Sequence, residues 1–202
     1  MKYVSVNICG LTEVKNDNKN SKAMQRIESW QKAAAFAARA HQGQFRKDGI
    51  TPYVAHVFRV TLTVRDLFEC NDPETLTAAL LHDTIEDTTV DYDDIEEEFS
   101  REIADIVAVL SKDTRLREPE REKAYDDGLR HASWKAKIIK LADTYDNFCD
   151  QAYALKKPVL LEAAIDRMKR ALEIAGDDDP HLSLAISIVK QAVHQAEQAP
   201  RA

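Results

Sequence analysis

The chain has 202 residues and carries 28 Lys and Arg against 35 Asp and Glu, which gives a net charge of −7. Its 44% of hydrophobic residues excludes a chain that is disordered throughout. The acidic balance, without a long stripe of Lys and Arg, argues against nucleic acid as a partner. Residues that break helices are few, with 5 Gly and 6 Pro. We therefore expect one domain of long helices around a substantial core.

The cysteines and the N-terminal sequence indicate a compartment. Cys9, Cys70 and Cys149 are far apart and odd in number, so we interpret them as free thiols in a reducing environment. The N-terminal sequence lacks the basic and apolar regions of a signal peptide. No run approaches the roughly 18 apolar residues of a membrane span. We expect a cytoplasmic protein without membrane association.

The first part of the chain contains a polar start and two predicted helices. Residues 1–22 are polar and rich in Asn and Lys after a short apolar start, which predicts a flexible N-terminal arm. Apolar residues at helical spacing predict a helix over residues 23–41 and another over residues 57–67. The segment 46–52 between them contains Gly and Pro and is predicted to be a loop.

The rest of the chain is predicted to be mostly helical. Asp72 and Pro73 indicate a helix start, and the apolar TLTAALLHDTIED after them predicts a helix buried in the core. EEEFSREIADIVAVLS predicts another helix, followed by a charged, exposed connection over residues 112–128. Long helices are expected at 132–155, 158–176 and 180–198. Because no segment alternates convincingly at period two, we predict a single all-α domain over residues 23–200, which includes C-terminal helices at 158–198.

Within the predicted buried helix, His82 and Asp83 are the first candidates for chemistry. Charged groups are seldom buried unless they are paired or bind a metal ion. On a continuous helix, His82 shares a face with Glu86, and Asp83 shares one with Asp87 in the same way. A helix end whose acids simply meet solvent is an equal alternative for these residues alone.

Two further segments place a polar residue in apolar surroundings. PYVAHV contains His56, and IIKLADTYDN contains Asp143. Taken singly, His56 could be a buried histidine bonded to a carbonyl, and Asp143 could pair with Lys140. Together with His82 and Asp83 they form a mixed nitrogen and oxygen set that suits Mn, Fe or Zn, with positions left for water. Because no cysteine belongs to this set, a structural zinc site is disfavoured.

The ordered set RKDGITPYVAH, TAALLHDTIEDT and AKIIKLADTYDN resembles the HD-domain hydrolase branch of the RelA/SpoT homologue family, especially its small alarmone hydrolases. The resemblance covers about residues 25–155 and includes three motifs in order, with fitting separations. It implies an all-helical HD fold and a manganese-dependent hydrolase. Such enzymes remove the 3′-pyrophosphate from guanosine tetra- or pentaphosphate and leave GDP or GTP.

The resemblance also implies roles for particular residues of the three motifs. The implied metal ligands are His56, His82, Asp83 and Asp143. The implied water-activating acids, which orient and deprotonate the nucleophile, are Glu86 and Asp87. The implied substrate contacts are Arg46, Lys47, Tyr53 and Asn147. From the residues alone, a solvated loop pair is the favoured interpretation of Arg46 and Lys47, and the tyrosine could simply pack the loop.

The third motif departs from the family pattern at three positions. The family usually has a basic residue at the position of Thr144 and an aromatic residue or His at that of Asp146. A basic residue is also frequent where this chain has Cys149. Two cations are lost and one acid is gained, which predicts a weaker attraction for a polyphosphate. Val57 replaces the proline that commonly follows the first histidine, and we expect this change to affect only the local turn.

Three functions remain open from the sequence. The leading hypothesis is a stand-alone, metal-dependent alarmone pyrophosphohydrolase whose partner is a small nucleotide substrate. The second is an HD phosphohydrolase for another nucleotide, such as an adenosine alarmone or a 2′- or 3′-phosphorylated nucleotide. The third is a nucleotide-binding sensor of low turnover, and the acids Glu86 and Asp87 argue against it because binding alone needs no water-activating pair.

Overall fold

The computed structural model describes residues 18–150 and 158–198, and every regular element within them is helical. The α-helices are α1 (Asn18–Ala40), α2 (Val54–Leu62), α3 (Pro73–Leu81), α4 (Thr84–Asp87), α5 (Tyr92–Glu98), α6 (Arg101–Leu110), α7 (Glu120–His131), α8 (Trp134–Cys149), α9 (Pro158–Ala175) and α10 (Ser183–Gln198). A π-helical turn at Thr63–Leu67 extends α2, and a 3₁₀ turn at Pro180–Leu182 precedes α10. The predicted all-α class is confirmed.

Helix α3 lies at the centre of the fold, where it packs against α1, α2, α6 and α8. Its residues from Thr75 to Leu81 are all buried, as expected for a helix that is apolar almost all round. The predicted start signal is confirmed, because Asp72 Oδ1 accepts a hydrogen bond from Thr75 N at 2.9 Å and Pro73 occupies the first turn. The C-terminal end of α3 therefore lies inside the protein.

Two helices that the sequence predicts as continuous are each divided in two. The apolar helix ends at Leu81, and α4 begins at Thr84. The acidic helix ends at Glu98, and α6 begins after Ser100, whose Oγ accepts a hydrogen bond from Ile103 N at 3.3 Å. A serine at this position satisfies an N–H group that a new helix start leaves free. Apolar residues continue across both breaks, so periodicity does not reveal them.

The predicted exposed connection over residues 112–128 is wrong for its second part. Helix α7 begins at Glu120 and packs against α6 and α9. Leu129 of this helix is fully buried, and Arg170 Nε of α9 donates to Asp126 Oδ2 at 2.7 Å. Because most of α7 is polar, its sequence carries no clear helical periodicity, and its contacts with α9 are what make it part of the fold.

Other predicted boundaries also differ from the observed ones. Helix α1 begins at Asn18, so residues 18–22 of the predicted arm are helical, while residues 1–17 lie outside the described residues. The helix predicted over 132–155 begins at Trp134, and its residues after 150 also lie outside the described ones. Helices α9 and α10 pack against α8 and against each other. Among the described residues, no helix is long and apolar enough to cross a membrane.

The loop between α1 and α2 is closed by hydrogen bonds of its own. Arg46 N donates to Thr51 O at 2.8 Å, and Tyr53 N donates to Gln44 O at 2.9 Å. The Asp48 carboxylate accepts hydrogen bonds from the hydroxyl and the N–H of Thr51, and these bonds lower the pKa of Asp48 to about 2. The closed loop brings Tyr53 to the C-terminal end of α3 and Arg46 to the C-terminal end of α8.

Candidate functional site

The break between α3 and α4 places His82 and Asp83 at the end of a buried helix. The Thr84 hydroxyl donates to a carbonyl in the last turn of α3 at 2.6 Å. His82 is 2% exposed, and the side chain of Asp83 is 18% exposed. The prediction of one continuous helix here is wrong. Asp87 N nevertheless donates to Asp83 O at 3.0 Å, which keeps these two carboxylates on one side of the turn.

Two histidines and two aspartates converge at this point. His56 Nε2 lies 3.3 Å from Asp143 Oδ1 and 3.4 Å from Asp83 Oδ2. His82 Nε2 lies 3.0 Å from the same Asp83 oxygen. One potential ligand atom from each of His56, His82 and Asp143 lies within 4.8 Å of the others. The structure thus brings together the four residues from three separate motifs, a spacing suited to a single metal ion.

The hydrogen bonds behind the two imidazoles direct a nitrogen of each toward this centre. His82 Nδ1 lies 2.9 Å from Ala79 O, and because a carbonyl only accepts, Nδ1 carries the proton. His82 Nε2 is buried, its contact with Asp83 Oδ2 lacks hydrogen-bond geometry, and no other described residue bonds this nitrogen. His56 Nδ1 lies 2.6 Å from Asp146 Oδ2, which leaves its Nε2 for the same centre. An unbonded buried nitrogen beside two carboxylates fits a divalent cation.

The carboxylates of this cluster are held in their charged form. Burial acts to raise the pKa of Asp83, but His82 and His56 outweigh it, and the pKa lies well below its ordinary value. Burial likewise acts to raise the pKa of Asp143, and the Lys140 ammonium together with His56 lowers it further than burial raises it. Charged carboxylates are the form that binds a cation.

Tyr53 is bound to the carboxylates of the cluster. Its hydroxyl oxygen lies 2.7 Å from Asp83 Oδ2 and 2.8 Å from Asp87 Oδ2, so its single proton is shared between two acceptors. The ring stacks on His41, with centroids 4.8 Å apart. Burial and the two negative charges raise the pKa of Tyr53. The hydroxyl is therefore occupied by protein carboxylates.

Glu86 has a different set of contacts from its neighbour Asp87. Its Oε2 accepts a hydrogen bond from Lys112 N at 2.9 Å. Burial raises the pKa of Glu86, although this hydrogen bond opposes the shift. The Asp87 side chain faces Tyr53, and its backbone carbonyl accepts from Gln44 Nε2 at 2.6 Å. Glu86 is thus a half-buried carboxylate with one oxygen held in place.

Arg46 and Asn147 form a chain of contacts that ends on Asp143. Arg46 Nη2 donates to Asn147 Oδ1 at 2.8 Å and lies 2.9 Å from Asp150 Oδ2. The Arg46 side chain is only 8% exposed. Asn147 Nδ2 in turn donates to Asp143 Oδ1 at 2.6 Å. The predicted substrate contacts Arg46 and Asn147 therefore also orient a member of the cluster.

A cavity of about 260 Å³ opens beside Asp143. Five cationic side chains from four elements line it, namely Lys47, Lys112, Lys140, Arg167 and Arg170. Burial, followed by the charges of Arg167 and Arg46, lowers the pKa of Lys47. Arg170 and Lys112 are instead paired with carboxylates of α7, whereas Lys47 and Arg167 make no ion pair within the described ranges. Two cations without an ion-pair partner on one cavity wall favour an anion between Lys47 and Arg167.

A model of the HD domain family matches residues 33–159, which is more than half of the chain. The chain belongs to the HD domain family. The match includes His56, His82, Asp83 and Asp143, and it ends before most of α9. The predicted HD fold is confirmed.

Among the relatives of this chain are proteins whose name states an activity. The Xenopus tropicalis protein named guanosine-3′,5′-bis(diphosphate) 3′-pyrophosphohydrolase MESH1 is 40% identical over 119 residues, which are 58% of this chain and 66% of that protein. The human protein of the same name is 38% identical over 131 residues, 64% of this chain and 71% of that protein. The chain thus spans just under two thirds of the Xenopus relative.

Solved structures agree with this placement. The structure of a metazoan SpoT orthologue that hydrolyses ppGpp matches with a TM-score of 0.70 and 27% identity, covering 81% of this chain and 94% of the other. A Listeria monocytogenes structure shares the fold with a TM-score of 0.58 at 24% identity. The resemblance to the HD-domain hydrolase branch of the RelA/SpoT homologues is confirmed.

In this HD domain, the departures from the family pattern face different surroundings. Thr144 lines the cavity, and its hydroxyl donates to Lys140 O at 3.1 Å. Asp146 and Cys149 line a separate groove with Arg59. Neither Asp146 nor Cys149 is among the residues that line the cavity beside Asp143, and the weaker attraction for a polyphosphate stays a prediction.

Several residues around the HD site carry no signal in the sequence. Arg167 and Arg170 lie beyond the family match, and a single arginine on a predicted helix has no informative spacing. In the sequence, an acid at position 146 looks unfavourable for binding a polyphosphate, and only its contacts in the structure indicate another role. Lys140 is an exception, since the pairing with Asp143 that the sequence offered as an alternative is present at 2.9 Å.

Proposed function

We propose that this HD domain uses a divalent metal ion to hydrolyse the 3′-pyrophosphate of guanosine tetra- or pentaphosphate to GDP or GTP plus pyrophosphate. The observation that carries this proposal is that Asp143 belongs both to the His/Asp cluster and to the wall of the cationic cavity. A pyrophosphate group needs cations for its charge and a metal site next to the bond that breaks. The names of the relatives support this substrate.

The proposed metal is manganese, with His56, His82, Asp83 and Asp143 as its ligands. Two imidazole nitrogens and two carboxylates suit such an ion and leave positions for other ligands. A bound ion lowers the pKa of water and stabilises charge on phosphate oxygens. The buried, unbonded Nε2 of His82 and the charged carboxylates support the assignment.

Glu86 is the proposed general base, and Asp87 is the proposed second acid that orients the water. Because burial raises the pKa of Glu86, its carboxylate accepts a proton more readily than an ordinary glutamate does. The Lys112 N–H holds Oε2 and leaves Oε1 for the water. In the proposed reaction the water oxygen bonds to the phosphorus next to the ribose, the P–O3′ bond breaks, and O3′ takes a proton.

Lys47 and Arg167 are the proposed phosphate contacts, with Asn147 beside them on the wall of the cavity. Burial, and after it the charge of Arg167, lowers the pKa of Lys47. A phosphate group placed between them relieves this repulsion and accepts charge-assisted hydrogen bonds from both.

The other two predicted substrate contacts receive a different proposed role. The Arg46 guanidinium is buried against Asp150 and Asn147, so we assign it to positioning. Tyr53 shares its proton between Asp83 and the neighbouring acid, so we assign it to orienting carboxylates. A side chain whose polar atoms are already bonded has to break those bonds before it can contact substrate.

The cytoplasm is the proposed compartment, and residues 23–200 are the proposed extent of the domain. Cys70 and Cys149 are free thiols, as expected in a reducing compartment. Helices α9 and α10 pack on α8, which also carries part of the site, so we assign them to the same domain.

One assay tests this function directly. Purified protein with manganese is offered guanosine tetraphosphate, guanosine pentaphosphate, an adenosine alarmone and a 3′-phosphorylated dinucleotide, and the products are separated by chromatography. We expect GDP and pyrophosphate in equal amounts from the tetraphosphate, and no products from a His82→Ala/Asp83→Ala variant. Faster turnover of another nucleotide would favour the second hypothesis, and binding without turnover of any would favour the sensor.

A further inference from the structure

Asp146 is a buried carboxylate whose two oxygens are both occupied by protein groups. Its Oδ2 lies 2.6 Å from His56 Nδ1, and its Oδ1 accepts a hydrogen bond from Arg59 Nε at 2.6 Å. Arg59 Nη2 lies 2.9 Å from the first of these oxygens, which completes a two-pronged contact. Asp146 is 5% exposed and His56 is 1% exposed. The carboxylate is therefore built into the protein behind His56.

This arrangement determines how His56 presents its second nitrogen. A carboxylate beside Nδ1 favours the tautomer with the proton on Nδ1 and leaves the Nε2 lone pair toward Asp83 and Asp143. It also fixes the plane of the ring, because Nδ1 has to stay on the line to Asp146. Arg59 neutralises the carboxylate while its own side chain remains 38% exposed, so the guanidinium keeps part of its contact with water.

The two histidines of the site are supported in different ways. His82 uses the neutral backbone carbonyl of Ala79, which no side-chain substitution removes. His56 uses the charged side chain of Asp146, at a position where the RelA/SpoT homologue family usually has an aromatic residue or His. A carboxylate acceptor makes the imidazole a stronger electron donor than a carbonyl acceptor does. A side-chain substitution can therefore remove the support of His56 while it leaves that of His82 in place.

We propose that Asp146 and Arg59 form a positioning pair that holds His56 for metal binding, with Arg59 acting on His56 through Asp146. Arg59 Nη2 also lies 3.4 Å from Asp150 Oδ1, a second contact outside this pair. The inference rests on the proposed assignment of His56 as a metal ligand. It does not depend on the nucleotide, since metal binding can be measured without substrate.

The test measures manganese affinity in protein without nucleotide, from the electron paramagnetic resonance signal of free Mn²⁺. We expect Asp146→Leu to weaken binding about 10–100-fold, the usual effect of removing a partner of a metal-ligating histidine. Asp146→Asn, which keeps an acceptor without its charge, should give a smaller loss. Asp66→Asn is the matched control, because Asp66 is an exposed aspartate paired with Arg65 at 2.7 Å. It should bind manganese as the unmodified protein does.

The losses of manganese affinity in single and double variants test whether Arg59 acts through Asp146. Arg59→Met should weaken binding less than Asp146→Leu, and Arg59→Met combined with Asp146→Asn should lose less than the sum of the two single losses. Additive losses would overturn the proposed series. This pair of substitutions also supplies the answer if Asp146→Leu does not fold, which circular dichroism would reveal.

Turnover separates this role from a contact with substrate. With guanosine tetraphosphate, Asp146→Asn should lose activity at limiting manganese, recover it at saturating manganese and keep its KM for the nucleotide. Unchanged manganese affinity in both Asp146 variants would overturn the proposal. So would a lower KM with unchanged affinity, because the carboxylate would then act by repelling substrate. If no nucleotide is turned over, the affinity measurements still decide the inference while the proposed function fails.

Discussion

The His/Asp cluster and the cationic cavity beside it are built in opposite ways. In the cluster, hydrogen bonds hold each side chain from behind, as Asp146 holds His56 and Asn147 holds Asp143. In the cavity, Lys47 and Arg167 line the same wall, and burial followed by the charge of Arg167 lowers the pKa of Lys47. A cluster held in one geometry suits a small ion with fixed coordination, whereas repelling cations suit a larger anion that brings its own charge.

This difference teaches that the two regions should respond differently to substitution. Removing one member of the cluster leaves buried charges without their partner, so the loss should be close to complete. Removing one cation from the cavity leaves the others in place, so the loss should be partial. The predictions below test this contrast, from the largest expected effect to the smallest.

The largest effect should come from Asp83→Ala. Asp83 Oδ2 lies within 3.4 Å of both cluster imidazoles, so its loss should abolish tight metal binding and hydrolysis. Manganese should no longer raise the melting temperature, because a ligand stabilises only a protein that binds it. Glu97→Ala, which changes an exposed acid of α5, should keep the response to manganese. Stoichiometric metal retained by Asp83→Ala in elemental analysis would contradict the assignment.

The next effect concerns Glu86, whose carboxylate accepts a hydrogen bond from the backbone of the cavity residue Lys112. Glu86→Gln should lower kcat by roughly 10²–10⁴, the usual contribution of a general base, and should keep manganese affinity, since its amide oxygen can still accept from Lys112 N. Because burial raises the pKa of Glu86, activity should fall with decreasing pH at a value above that of an ordinary glutamate. Steady-state rates across pH check both points. Loss of metal from this variant would make Glu86 a ligand instead.

Substitutions in the cavity should have graded effects. Lys47→Ala and Arg167→Ala should each cost about 1.5–3 kcal/mol of binding to a polyphosphate, as loss of a charge-assisted hydrogen bond does. The loss should be visible as a higher KM for guanosine tetraphosphate. Arg115→Ala, which removes an exposed arginine paired with Asp113, is the matched control. An unchanged KM in both cavity variants would remove these cations from substrate binding.

Arg46→Ala should differ from the cavity substitutions in what it changes. Its guanidinium reaches Asp143 through Asn147, so the variant should lose manganese affinity as well as turnover. A titration with manganese, followed by rates at saturating metal, separates the two effects. A change confined to KM for polyphosphates would instead indicate that Arg46 contacts the substrate.

The smallest effect should come from a site far from both regions. Asp72→Ala removes the N-cap of α3 and should lower the free energy of unfolding by about 1 kcal/mol. Because the rest of α3 remains buried, kcat and manganese affinity should be unchanged. Denaturant unfolding measures the first quantity, and the standard assay checks the second. A large loss of activity would mean that the start of α3 controls the position of His82 at its end.

The sequence predicted the helices with strong apolar periodicity better than the polar ones. Helix α3 and its cap at Asp72 match the prediction, because a local capping contact and an apolar segment require no distant partner. Helix α7 was not predictable in the same way, since its place depends on Asp126 meeting Arg170 of α9. The break after Leu81 was also hidden, because the apolar pattern continues across it.

The sequence by itself determined the all-α class, the three motifs and the residue types at the site, because these depend on spacing and on the apolar segments around each motif. Only the tertiary structure decided which side chains hold the residues of the cluster from behind. His56 and Asp146 are 90 residues apart in the chain, and Arg46 and Asn147 are 101 apart. No local pattern encodes whether a charged side chain at such a distance faces a substrate cavity or the back of a histidine. Helix packing decides it, because a buried charge is stable only where its partner also lies.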